Sequence, residues 1–341
     1  MNRKIHNLLV LSLVLLWAFP LHAADEETLF NELKDHEARA ASTWSALVEK
    51  DIRDRILPAP DIILDYIRKD NELQGYTERP RKPVLDPAFA ADIVDAYAEL
   101  PGIVKGHIND HVVAVFLVEE LGGTAYAELL RDFETNTWGF IVMDVGSLDK
   151  RANEWISWRE NSPFATKGTY RIEAEIEEEG RDARKAAIQY ILLHEVGHVV
   201  GVAKGAHPNW FVGGPPEQWP FTRLSWLTFV GGLQGTSRFD DTFTERSNVK
   251  YYTFEDAPLT SGEIYEVYDH LLKTDFVSLY AATNMYDDFA ETYAMYVHVV
   301  LQQRPWKVTI MKGGDKALEI RDTILAARCE AKKAYLDSMF Q

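Results

Sequence analysis

The segment His194-Glu195-Val196-Gly197-His198 sets two imidazoles four residues apart, with a carboxylate directly after the first. On a helix such positions share a face, one turn above the other, so both rings can reach a single cation. Glu195 then points to the neighbouring position, where a water on that cation would lie. Zinc suits the set: it accepts nitrogen and oxygen ligands, keeps one position open and lowers the pKa of bound water to about 7. The pattern predicts one Zn2+ held by His194 and His198, with Glu195 as general base. The apolar neighbours Ile191, Leu192, Val199 and Val200 fit a buried helix.

A catalytic zinc needs a third protein ligand. In the extended pattern HExxHxxGxxH, Gly201 matches the glycine, but the last histidine would fall on Lys204, and His207 is out of register. A better source is the segment Tyr280 to Ala294, where Asp287 and Glu291 stand four apart at the start of an apolar helix. One carboxylate would ligate the metal. The other, a turn along, would accept the free ring N–H of a ligating histidine and fix its tautomer.

These two segments together resemble the catalytic domain of anthrax lethal factor and its relatives, which include proline-specific clostridial endopeptidases. The resemblance rests on HEVGH and, downstream, on a tyrosine, a Thr-Asn pair, a carboxylate seven residues after the tyrosine, and Phe-Ala-Glu. It implies a zinc endopeptidase with Asp287 as third ligand and Glu291 as the additional helix glutamate. It also implies that Tyr280 lies near the metal and donates its O–H to the oxyanion of the tetrahedral intermediate. The family ligand is normally glutamate. Aspartate is one methylene shorter, so either the downstream helix sits closer or Glu291 takes over ligation.

The elements around these residues predict an α+β fold: a zincin (thermolysin-like) catalytic domain with a mixed sheet and an active-site helix. Val112–Val118 and Trp138–Val145 read as buried strands. Tyr170–Glu177 alternates, with Tyr170, Ile172, Ala174 and Ile176 on one face and Arg171, Glu173, Glu175 and Glu177 on a solvated one. A long helix over Asp182–Val202 should end near Gly205. Residues 24–109 read as a mainly helical region broken by prolines, preceding a catalytic domain over 110–341. Residues 205–260 form a Trp/Pro-rich insertion, and the chain from Ser261 onward reads as helical.

Composition narrows the partners. Forty-six per cent hydrophobic and 26% charged residues describe a globular chain, and a formal charge of −17 without a basic cluster excludes a nucleic-acid partner. Arg3 and Lys4, the apolar run Leu8–Phe19 and the small residues around Ala23 read as a signal peptide over 1–23. That run is short of the about 20 residues of a membrane span, so the reading is a periplasmic or secreted protein without a stable span after cleavage; an uncleaved N-terminal anchor is the alternative. The single Cys329 forms no internal disulfide. The expected partner is a protein or peptide substrate. Two other functions share the motif: a zinc amidase acting on cell-wall peptides, and an inert zincin working as a binding module through its aromatic insertion.

Overall fold

The computed structural model describes residues 23–131, 137–229 and 235–341. The expected signal peptide, but for Ala23, lies outside the described residues. Ten α-helices occur among them: α1 (Ala23–Asp35), α2 (Ser45–Val48), α3 (Asp61–Gln74), α4 (Pro87–Ala98), α5 (Gly102–His111), α6 (Ala152–Asn161), α7 (Arg184–Ala203), α8 (Ile264–Leu271), α9 (Met285–Met295) and α10 (Glu330–Met339). With the sheets described next they make an α+β fold.

The principal sheet is mixed. Its strands β1 (Ile56–Pro58), β2 (Val112–Val118), β3 (Ala125–Leu129) and β4 (Gly139–Asp144) lie in the order β1-β2-β4-β3. The first three in that order run parallel, and β3 is an antiparallel edge strand. All seven residues of β2 are buried, the signature of a strand covered on both faces. Val113, Phe116 and Val118 pack with Ile63, Leu64 and Ile67 of α3 on one side. Val112, Val115 and Leu117 pack on the other with α4, α5 and α7. Residues 24–109 thus supply a strand to this sheet and helices to both of its faces.

A second sheet joins β6 (Tyr170–Glu175), β10 (Lys307–Lys312) and β11 (Asp315–Arg321) in the antiparallel order β11-β10-β6. This corrects the all-helical reading of the last third: Gly313 and Gly314, at φ +57° and +107°, form the turn between β10 and β11. The alternation along β6 holds for its inward residues, but Glu177 is buried rather than solvated, because Arg304 reaches it at 2.7 Å. Short pairs complete the strands: β5 (Phe164–Ala165) with β9 (Leu259–Thr260), and β7 (Trp226–Phe229) with β8 (Gly235–Ser237).

Helix α7 runs through the middle of the larger core. It is long and apolar enough to cross a membrane, yet most of it is buried inside the protein, as expected of a core helix. It stops where Gly205 takes the left-handed conformation at φ +66°. Helix α9 crosses α7 closely because Gly197 has no side chain: a Cβ there would stand 2.8 Å from the Ala290 Cα. That contact brings the two chemical segments together.

Candidate metal centre

From α7, His194 and His198 present their Nε2 atoms 3.1 Å apart. From α9, Asp287 brings Oδ1 to 3.5 Å from the first and 3.4 Å from the second. A tetrahedral cation with ligands at about 2.0–2.1 Å has ligand–ligand edges of about 3.4 Å. The donors therefore already stand at the spacing such an ion requires. Asp287 is fully buried; its Oδ1 makes no hydrogen bond of good geometry, and its charge is held by the two imidazoles, a role a cation could take over. The three donor atoms lie close enough together to hold a cation.

Local sequence explains why Asp287 is the carboxylate at this point. Asn284 caps α9, its side-chain oxygen accepting from the Tyr286 and Asp287 backbone amides. Its amide group donates to Asp287 Oδ2 at 2.6 Å, and the Thr283 hydroxyl donates to the same oxygen at 2.9 Å. With Oδ2 held from behind, Oδ1 faces the histidines. The Thr-Asn pair of the sequence motif is therefore a clamp on Asp287.

Glu291 lies behind the histidine and outside the ligand triangle. It accepts from His194 Nδ1 at 3.0 Å, so that in the neutral ring the remaining proton sits on Nδ1 and the Nε2 lone pair faces His198 and Asp287. Arg159 of α6 grips both Glu291 oxygens, at 2.8 and 3.1 Å, and Ser278 donates to one of them at 2.9 Å. The same guanidinium meets Glu160, whose other oxygen accepts from Tyr251 and Tyr268 at 3.1 and 2.8 Å. Sequence reasoning missed this buried network. Arg159 lies far along the chain from Glu291, and no local spacing signals the pairing.

Electrostatics follow from burial and these partners. Burial opposes charge on His194, but its contacts with Asp287 and Glu291 outweigh that and lift the imidazole to about 10. A cation must therefore displace a proton to bind here. Burial raises Glu291, yet the Arg159 charge and His194 bring it down to about 2. Asp287 is likewise held below the usual carboxylate range, the two imidazoles overcoming its burial. Glu195 moves the other way: burial pushes it up, and the two histidines only partly offset this. A carboxylate biased toward taking a proton is what a general base needs.

The triangle opens into a cavity of about 640 Å³. His194, Glu195, His198, Tyr280 and Asp287 all line it, as does β3 from Ala125 to Glu128. Tyr280 is buried, with its ring centroid 5.4 Å from that of His194. His207 stays out of the ligand set: its Nδ1 donates to the Pro208 carbonyl at 3.0 Å, and it packs against Gly201, where a Cβ would meet it at 2.1 Å. The Trp/Pro-rich segment divides its aromatics. Trp210, Tyr252 and Phe254 face the cavity, whereas Phe221 and Trp226 belong to the core.

Comparisons with protein-family models, with curated proteins and with solved structures find no match for this chain.

Proposed function

We propose that the chain is an exported zinc-dependent endopeptidase of the zincin type. The observation that carries this reading is the convergence of His194, His198 and Asp287 on one point, beside a buried Glu195 and within one cavity. These three residues would hold the ion, which when bound lowers the pKa of water to about 7 and polarises a carbonyl oxygen. Glu195 takes the proton of the attacking water and passes it to the leaving amine. Tyr280 donates its O–H to the oxygen that gains charge. Glu291 and Arg159 keep the His194 ring in its working tautomer.

Substrate geometry adds support. Strand β3 is the antiparallel edge of its sheet and borders the same cavity. An extended peptide can add to such an edge through main-chain hydrogen bonds. On this reading a peptide backbone would lie along the 125–127 part of the edge, without demanding any one side chain.

The test is Glu195→Gln in the mature protein, with zinc content and cleavage of a peptide library measured together. The variant should keep one zinc per chain and lose hydrolysis. Full residual cleavage sinks the assignment. Parallel digestion of isolated cell wall separates peptidase from amidase action.

A further inference from the structure

Two of the five non-glycine residues at positive φ among the described residues sit almost side by side on the cavity wall: Tyr252 at +62° and Phe254 at +49°. Bulky side chains rarely adopt this conformation, and strain of this kind persists only where surrounding contacts impose it. The imposing contact is one buried residue, Ser162, at the end of α6. Its hydroxyl accepts from the Tyr252 amide at 2.8 Å and donates to the Arg159 carbonyl at 2.7 Å. Its own carbonyl accepts from the Phe254 amide at 2.8 Å. Ser162 so fastens the 252–254 turn to the helix that carries Arg159.

The strain does not serve to bury an apolar group. Phe254 remains 37% exposed, and Trp158 and Tyr252 are only partly covered. Instead it aligns a row of rings. Phe254 lies 5.4 Å from Trp158, Trp158 lies 5.5 Å from Tyr252, Tyr252 lies 6.5 Å from Tyr280, and Tyr280 lies 5.4 Å from His194. All five residues line the one cavity. Lys150 caps the outer ring of Trp158 at 5.4 Å. An aromatic path therefore leads from the open rim to a metal ligand, and it is continuous with the proposed catalytic groups.

We infer that this wall is a substrate subsite that selects a bulky apolar side chain, aromatic or long aliphatic, beside the scissile bond. Aromatic faces gain from edge or offset contact with another apolar group, and a rigid wall loses little freedom on binding. Small or charged side chains would leave Phe254 and Trp158 wet. The inference rests on the peptidase reading for its substrate, but the wall can be tested without turnover.

Two measurements test it. Zinc-loaded Glu195→Gln protein is titrated with matched peptides carrying Phe, Leu, Lys or Ala at each position in turn, followed by calorimetry. The Phe and Leu peptides should bind on the order of tenfold more tightly than Ala or Lys at one position. Phe254→Ala, a change at an exposed side chain, should erase that preference, and Ser162→Ala, which removes the tie to the Tyr252 amide but keeps the main-chain tie to Phe254 and the rings, should reduce it, each leaving the Ala peptide within about twofold. In the active protein the same variants should lower kcat/KM for the Phe peptide selectively. Equal binding of Phe and Ala peptides, or an equal loss on both in Phe254→Ala, overturns the subsite. Preferential binding of Phe peptides by a wild-type protein that cleaves none overturns the peptidase reading and leaves the subsite standing.

Discussion

Arg159 and Glu291, both buried, meet through two parallel hydrogen bonds, and this pairing distinguishes the two carboxylates nearest the histidines. Glu291 has both oxygens engaged, by Arg159, Ser278 and His194. Asp287 has one oxygen clamped and one facing the imidazoles. Asp287 and Glu291, one turn apart on α9, thus differ in what their oxygens face because their neighbours differ; the third acid of the helix, Asp288, pairs with Lys332.

Replacing Arg159 by methionine should therefore reach the metal. Glu291 would lose its charge partner, and so would Glu160. Leaving a buried charge unpaired costs about 3–5 kcal/mol, so the melting temperature should fall. Zinc affinity should drop by about 10–100-fold, the usual effect of disturbing a group behind a histidine ligand. Competition with a chromophoric chelator reads the affinity, and the d–d spectrum of the cobalt-substituted protein reads the ligand set. An unchanged cobalt spectrum and affinity would show that Arg159 does no more than stabilise the core.

Asp287→Glu lengthens this carboxylate by one methylene and should weaken the proposed site. The aspartate is fully buried and its Oδ2 is fixed by Asn284 and Thr283. An extra methylene has to push α9 away from α7 or push the carboxylate past the ligand position. Zinc affinity should fall at least about tenfold. Asp287→Ala should abolish stoichiometric binding. If the glutamate variant binds zinc as well as wild type, the clamp is not selective for length.

How much of this was legible in the sequence depends on the range of each interaction. His194, Glu195 and His198 are within one helical turn and could be read directly. Asp287 and Glu291 could be read as a pair, because helical spacing sets them on one face, but their division of labour comes from Arg159, which only the fold brings near. The β10–β11 hairpin departs from the helical reading of the chain after Ser261, although Gly313-Gly314 is a recognised turn signal. β3 gives little strand signal because Ala125–Leu129 is short and carries the buried Glu128, whose burial is offset by the Tyr66 hydroxyl and by Trp210 at 3.2 Å. Glu177 was placed on the wet face because alternation alone does not reveal Arg304.

Acid should destabilise the fold through a histidine outside the centre. His298 sits on the π-helical turn after α9, and its Nε2–H donates to the carbonyls of Ile176 and Pro305 at 2.7 and 3.1 Å. Burial lowers its pKa to about 4, against about 6.5 in an unfolded chain. Below pH 6.5 the unfolded chain takes up a proton that the folded chain refuses, so stability falls as pH drops toward 4 and is unaffected above 6.5. At pH 5 the loss from this residue should be about 2 kcal/mol. Urea unfolding of wild type and His298→Gln at pH 7.5 and 5 measures it; the variant should show a smaller drop between the two. Equal drops would assign the acid sensitivity elsewhere.

Gly197→Ala tests whether the contact of α7 with α9 sets the metal geometry. The new methyl would meet the Ala290 Cα at 2.8 Å and its carbonyl oxygen at 3.1 Å, both backbone atoms that cannot rotate aside. The helices must part by a few tenths of an ångström or more. Overpacking of this kind costs about 1–3 kcal/mol. The parting also separates Asp287 Oδ1 from the two Nε2 atoms, which lie on opposite sides of the contact. Zinc affinity should therefore fall together with thermal stability. Gly180→Ala, where no atom lies within 4 Å of the new methyl, is the control and should change neither. A Gly197→Ala protein that melts lower yet binds zinc with wild-type affinity would mean that the ligand triangle tolerates helix displacement, and that its geometry is set by the Asn284 cap rather than by the crossing.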